Sequence, residues 1–103
     1  MSASRDDIIR HLNDYLHIDD FKDYGPQGLQ VEGRETIKKI VTSVSASIQL
    51  FEEAAGRDAD MVIVHHGILW DKESRVISGG FKRRIETLLY NEITLLAYHL
   101  PLY

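Results

Sequence analysis

The stretch Met61-Val62-Ile63-Val64-His65-His66-Gly67 constrains the fold more than any other. Four consecutive apolar residues, mostly β-branched and closed off by a glycine, read as a strand buried on both faces. Such a strand needs a layer on each side of its sheet, which in a chain this size means helices and an α/β architecture. The two histidines then fall at its C-terminal end, the edge where open α/β sheets bind ligands.

The segments around this run supply the layers. Ser4-Arg5-Asp6-Asp7 reads as a helix N-cap, with Ile8, Ile9, Leu12, Tyr15 and Leu16 at helical spacing over about three turns. Residues 19–28 carry turn residues and no period, and form a loop. Leu29 to Glu32 alternates apolar and polar up to Gly33, a short half-exposed strand. Residues 37–44 form a further strand. Ser47 then caps a helix bearing Ile48, Leu50, Phe51, Ala54 and Ala55, with Gly56 as its stop. Past the central strand, Phe81, Ile85, Leu88 and Leu89 mark a third helix ending near Asn91, and residues 93–98 form a last apolar strand leading into His99.

Strand, helix, strand, helix, strand is the pattern of right-handed parallel crossovers. It predicts one α/β domain over residues 1–103, with helices packed on a small, mostly parallel sheet. Strands 37–44, 61–65 and 93–98 then end on one edge, which gathers Ser43 to Ser47, His65, His66 and His99.

Composition narrows the chemistry available there. The chain has no cysteine, so disulfides, iron–sulfur clusters and thiolate zinc sites are excluded, and histidine and carboxylate remain as the strong metal ligands. With 12 basic and 16 acidic residues the formal charge is −4, and nothing global favours nucleic acid or an anionic membrane as a partner. The N-terminus has no apolar signal segment, and no apolar run approaches the ~18 residues of a membrane span. A cytoplasmic protein is expected.

Neutral imidazole is a common ligand for divalent metals, so His65, His66 and His99 are candidate ligands. Neighbours on a strand point to opposite faces. Either the strand twists out of regular geometry at Gly67, or the two histidines serve different ions of a dinuclear site. Against both stands chance, since a chain with five histidines places two side by side about one time in five. Lys82, Arg83 and Arg84 are candidate anion-binding residues, because three cations at a helix N-terminus oppose its dipole unless an anion binds there. The alternative is three solvated side chains. Trp70, just past the histidines, either covers the site or closes a core.

Several phrases together resemble a known family, the Nif-three-like (NGG-interacting factor three) proteins, also called GTP cyclohydrolase I type 2 homologues. They are Gly28-Leu29-Gln30-Val31-Glu32-Gly33, Val41 to Ser47, Val64-His65-His66-Gly67-Ile68-Leu69-Trp70, Lys82 to Leu89, and Ala97-Tyr98-His99-Leu100-Pro101-Leu102. They stand in the family's order across nearly the whole chain.

The resemblance implies an α/β fold with two divalent metal ions per subunit (zinc, manganese, iron or magnesium). His65 and His66 match the ligand pair and His99 the histidine of the last strand. It implies ring-shaped homo-oligomers, typically hexamers, and metal-dependent hydrolysis of a nucleotide or related small molecule. Two departures stand out. Tyr103 occupies the position of the family's ligand aspartate, and phenol is a weak ligand at neutral pH. The family's later histidine and glutamate ligands have no counterpart, so the chain matches the N-terminal half. The expectation is a divalent-metal-binding protein with weakened or absent hydrolysis. The alternative is a non-catalytic oligomerising or partner-binding module with a vestigial site. The last strand, lacking a second half, is expected to present an exposed edge.

Overall fold

The computed structural model describes residues 2–20, 25–71 and 75–99. Along them run β1 (Ala3–Ser4), α1 (Arg5–Tyr15), β2 (Gly28–Val31), β3 (Thr36–Ile37), β4 (Ile40–Ser45), α2 (Ile48–Gly56), β5 (Met61–His66), α3 (Gly79–Tyr90) and β6 (Thr94–Ala97). The main sheet has the order β2-β6-β5-β4. Strands β4, β5 and β6 are parallel, and β2 runs antiparallel on β6. The expected α/β fold is present, with a partly parallel sheet. A separate antiparallel ribbon pairs β1 with β3.

The apolar run of β5 is divided between two layers. Met61 belongs with Leu96, Tyr98 and Ile37 to a cluster closed by Ile8, Ile9, Leu12 and Leu16 of α1 and its end, against which Ile63 also packs. Val62 and Val64 belong with Phe51, Ala54, Leu88 and Leu95 to the cluster under α2 and α3. Alternation along the strand thus sends successive side chains to opposite cores. The run is continuously apolar because both faces are covered. No helix among the described residues is long and apolar enough to cross a membrane.

The helix ends follow local chemistry. Ser4 Oγ accepts from the Asp7 N–H at 3.4 Å and Ser47 Oγ from the Leu50 N–H at 3.1 Å. α3 ends at Tyr90 with Asn91 as its cap.

Two expectations are corrected. The segment 37–44 is not one strand but two, β3 and β4, because one carboxylate oxygen of Asp60 accepts from the backbone N–H groups of both Lys38 (2.8 Å) and Lys39 (3.1 Å). Those donors are turned away from any strand partner, and the chain changes sheets there. The last strand, β6, is not an exposed edge either. It lies between β5 and β2, and the sheet's edges are β2 and β4. Reversal of the chain between α1 and β2 brings the short half-exposed strand back onto β6.

Candidate metal centre

Parallel pairing aligns Val64 with Ala97 as the last rung between β5 and β6. One backbone bond closes that rung, and beyond it a side chain bonds to the backbone instead. The Tyr98 N–H donates to Val64 O at 3.0 Å, and His65 Nδ1 lies 3.0 Å from the carbonyl oxygen of Tyr98. A carbonyl can only accept, so Nδ1 carries the proton and Nε2 holds the lone pair able to bind a metal.

Strict alternation would put His65 and His66 on opposite faces. Instead their ring centroids are 4.4 Å apart, and His99 stands 4.9 Å from His65 and 4.8 Å from His66. At the strand's end, past its last rung with β6 and paired only with β4 through Ser45 and His66, the two rings converge despite the alternation. One ring nitrogen from each of the three histidines lies within 4.8 Å of the others, and all three residues are half-buried. Among the described residues no carboxylate joins this group. Burial holds the His66 imidazole below its ordinary pKa of 6.5, and the neighbouring His65 and His99 push it further in the same direction. It is therefore neutral at pH 7, the form that ligates.

Such a donor set fits a borderline divalent ion. Nitrogen ligands of a tetrahedral zinc sit ~2.0–2.1 Å from it and so ~3.3 Å from one another. The ring nitrogens here lie within 4.8 Å of one another, so an ion would draw the more widely spaced rings together.

Of the other expected site residues, the structure brings in Trp70, whose ring meets His99 edge-on at 5.4 Å and lies 6.5 Å from His66. Trp70 also forms one wall of an apolar cleft of about 380 Å³ with Ile68, Leu69, Phe81 and Ile85. The three cations of α3 do not form one surface. Lys82 and Arg83 are exposed, while Arg84 is half-buried and donates from Nη1 to the carbonyl of Ala46 at 3.2 Å. Tyr103 lies outside the described residues. Ser47, expected at the edge, uses its hydroxyl for the cap of α2.

Two glutamines that sequence reasoning left aside lie against this edge. Gln30 Oε1 accepts from the N–H groups of Ile68 (2.8 Å) and Leu69 (3.4 Å), and Gln27 Oε1 accepts from the His99 N–H at 2.6 Å. The only signal for them was position, a glutamine-bearing segment punctuated by Gly25, Gly28 and Gly33.

With this geometry in hand, known proteins provide the frame. Residues 3–102 match the family described as Duf34/NIF3 (NGG1p interacting factor 3). The chain belongs to this family. The GTP cyclohydrolase 1 type 2 homolog of Salmonella typhimurium is 55% identical over 91 residues, covering 88% of this chain and 37% of the relative. That of Pseudomonas aeruginosa is 45% identical over 102 residues, 99% of this chain and 40% of its own length. Among solved structures, TTHA1606 from Thermus thermophilus superposes with a TM-score of 0.93 at 44% identity, covering 97% of this chain and 41% of that one. HcgD from Methanocaldococcus jannaschii, at 23% identity and a TM-score of 0.89, shares the fold. This Duf34/NIF3 chain spans about two-fifths of the length of the curated relatives it matches.

Proposed function

We propose that this chain binds a divalent metal ion through His65, His66 and His99. The observation that carries the reading is the convergence of three imidazoles, from the ends of two adjacent parallel strands, on one space at the sheet edge. The Nδ1–H of His65 held by Tyr98 O leaves its Nε2 as the nitrogen to face an ion, and the depressed basicity of His66 favours a neutral ligating ring there. Zinc and iron suit such nitrogen donors, whereas magnesium and manganese prefer oxygen.

The reading extends to metal-dependent hydrolysis of a nucleotide or related small molecule. It is supported by relatives named GTP cyclohydrolase 1 type 2 homolog. A bound ion would supply Lewis acidity at the mouth of the cleft walled by Trp70. Within the chain, the three histidines hold the ion and Trp70 shields one side of them from water. Three imidazoles complete one ion's set more readily than two, so turnover by these residues alone is expected to be weak. Self-association into a ring belongs to the same reading, and the sheet-edge residues Ile40 and Val44, 43% and 62% exposed, offer apolar area for it.

Metal content by elemental analysis, after dialysis against zinc or iron(II), tests the proposal. The native chain is expected to retain the ion stoichiometrically and a His65→Ala, His66→Ala variant to lose it. An empty native chain would leave the histidines as structural residues. Chelator-sensitive release of products from a nucleotide panel tests the hydrolytic extension, and sedimentation tests the ring.

A further inference from the structure

We infer that Gln27 and Gln30 are positioning residues for the histidine cluster, a role that rests on the metal-binding reading above. The three histidines come from two separate segments whose mutual ladder ends at Val64 and Ala97; β4 still pairs with His66 through Ser45, but past His66 and past Ala97 the chain leaves regular sheet. β5 stops at His66 and β6 stops at Ala97. The backbone that leaves each strand must be fixed by something else if the rings are to keep one arrangement.

The segment 25–30 does this from one side. Gln27 Oε1 takes the N–H of His99 itself at 2.6 Å. Gln30 Oε1 takes the N–H groups of Ile68 and Leu69, the second and third residues past His66, and its Nε2 donates to Pro26 O at 3.1 Å. One side-chain oxygen therefore pins the exit from β5 and another the exit from β6, and the two glutamines are linked through the backbone of their own segment. A side-chain amide suits the task because it accepts from the pinned backbone while its NH₂ anchors it elsewhere.

Close packing makes the arrangement specific. Gly67 faces the Gln30 amide so closely that a Cβ there would overlap its oxygen, carbon and nitrogen, and a Cβ on Gly25 would overlap the backbone of Leu69 and Trp70. A side chain at position 67 would therefore displace the Gln30 amide from its backbone donors. Segments 25–30 and 67–70 form a single seat under the histidines. Neither glutamine is placed to ligate, since both oxygens are committed to backbone donors. Both act through the backbone that carries the rings.

The test replaces the acceptors while keeping the volume, in Gln27→Leu and Gln30→Leu. In the metal-free chain, ring-to-ring NOEs among His65, His66 and His99 are measured together with the methyl shifts of the core under α2 and α3. The inference expects the ring contacts to weaken in both variants while the core methyl shifts stay put. Native-like ring contacts in both variants would overturn it, whatever happens with metal. Cobalt(II) titration followed by visible absorption is the second readout. The variants are expected to bind about tenfold or more weakly, in the range typical of residues that orient metal ligands, with an altered ligand-field spectrum. Native affinity and spectrum in both variants would also overturn the inference. Failure of the native chain to bind cobalt(II) would instead remove the metal reading, and the ring contacts would still decide the role of the glutamines.

Discussion

Arg34 Nη1 donates to Asp60 Oδ1 at 2.8 Å, and the pair closes the opposite end of the sheet from the histidines. Asp60 is the more buried partner, its side chain 8% exposed against 40% for Arg34. Its other oxygen holds the N–H groups of Lys38 and Lys39. Burial opposes ionisation of this carboxyl. The two backbone donors and the guanidinium outweigh burial, and the pKa lies below the ordinary 3.8.

A carboxyl with a lowered folded-state pKa contributes stability that is present above its unfolded value and is lost as pH falls through the folded one. Chemical denaturation of the native chain is therefore expected to show a loss of stability below about pH 4, part of which disappears in Asp60→Asn. Asp60→Ala is expected to be less stable by about 2 kcal/mol at neutral pH, since it orphans donors in a part-buried turn. Arg34→Ala should lose less, because that side chain is more exposed than Asp60 and its loss leaves the Asp60 bonds to the Lys38 and Lys39 N–H groups in place. Equal acid sensitivity in the native and Asp60→Asn chains would count against this assignment.

The paired glycines at the start of α3 have opposite requirements. Gly79 has φ +56°, a left-handed conformation, whereas a Cβ on Gly80 would meet nothing within 4 Å. Gly80→Ala is expected to raise stability by about 0.5–1 kcal/mol, through helix propensity and a stiffer unfolded chain. Gly79→Ala is expected to lower it by about 1 kcal/mol through left-handed strain. Thermal melts of the two single variants decide the point, and shifts of the same sign would refute it.

The arginines that follow are equally unlike. Arg84 ties the second turn of α3 to the carbonyl of Ala46, whose own N–H donates to His66 O at 3.1 Å. Arg84→Ala is expected to destabilise by about 1 kcal/mol, and Arg83→Ala by less than about 0.5 kcal/mol as an exposed substitution. If the three cations acted as one anion site instead, phosphate would stabilise the native chain and both variants would lose that effect alike.

What was legible in the sequence was local or enforced by topology. The apolar run of β5 announced a strand covered on both sides, and two parallel crossovers sufficed to bring His99 beside His65 and His66. What escaped came from residues acting at a distance on short segments. No local pattern in 37–44 shows that a carboxylate some twenty positions later will divide it. The β1–β3 ribbon is two residues wide, too short for any period. The alternation rule failed for His65 and His66 because it describes strands paired on both sides, and at these residues β5 has passed its last rung with β6 and keeps only β4. Gln27 and Gln30 act through single oxygen atoms, one just before and one within an antiparallel strand whose return onto β6 no crossover rule requires.

Tyr98 links the histidine edge to the first helix. Its carbonyl holds His65 Nδ1, its ring is buried beneath α1, and its hydroxyl donates to Asn13 Oδ1 at 2.8 Å. Tyr98→Phe separates these roles, for it keeps the carbonyl and the ring and removes only the hydroxyl. Stability is expected to fall by about 1 kcal/mol, while cobalt(II) affinity stays native because nothing that touches the histidines has changed. Burial pushes the phenol from its ordinary 10.0 up to about 12. A raised folded-state pKa stabilises the fold fully below the unfolded value, and that contribution is lost as pH rises through the folded one. The native chain should accordingly lose stability between about pH 10 and pH 12, and Tyr98→Phe should lack that part of the alkaline loss. Denaturation midpoints across this interval, read with phenolate absorbance, check both halves. A variant as alkali-sensitive as the native chain would place the titrating group elsewhere.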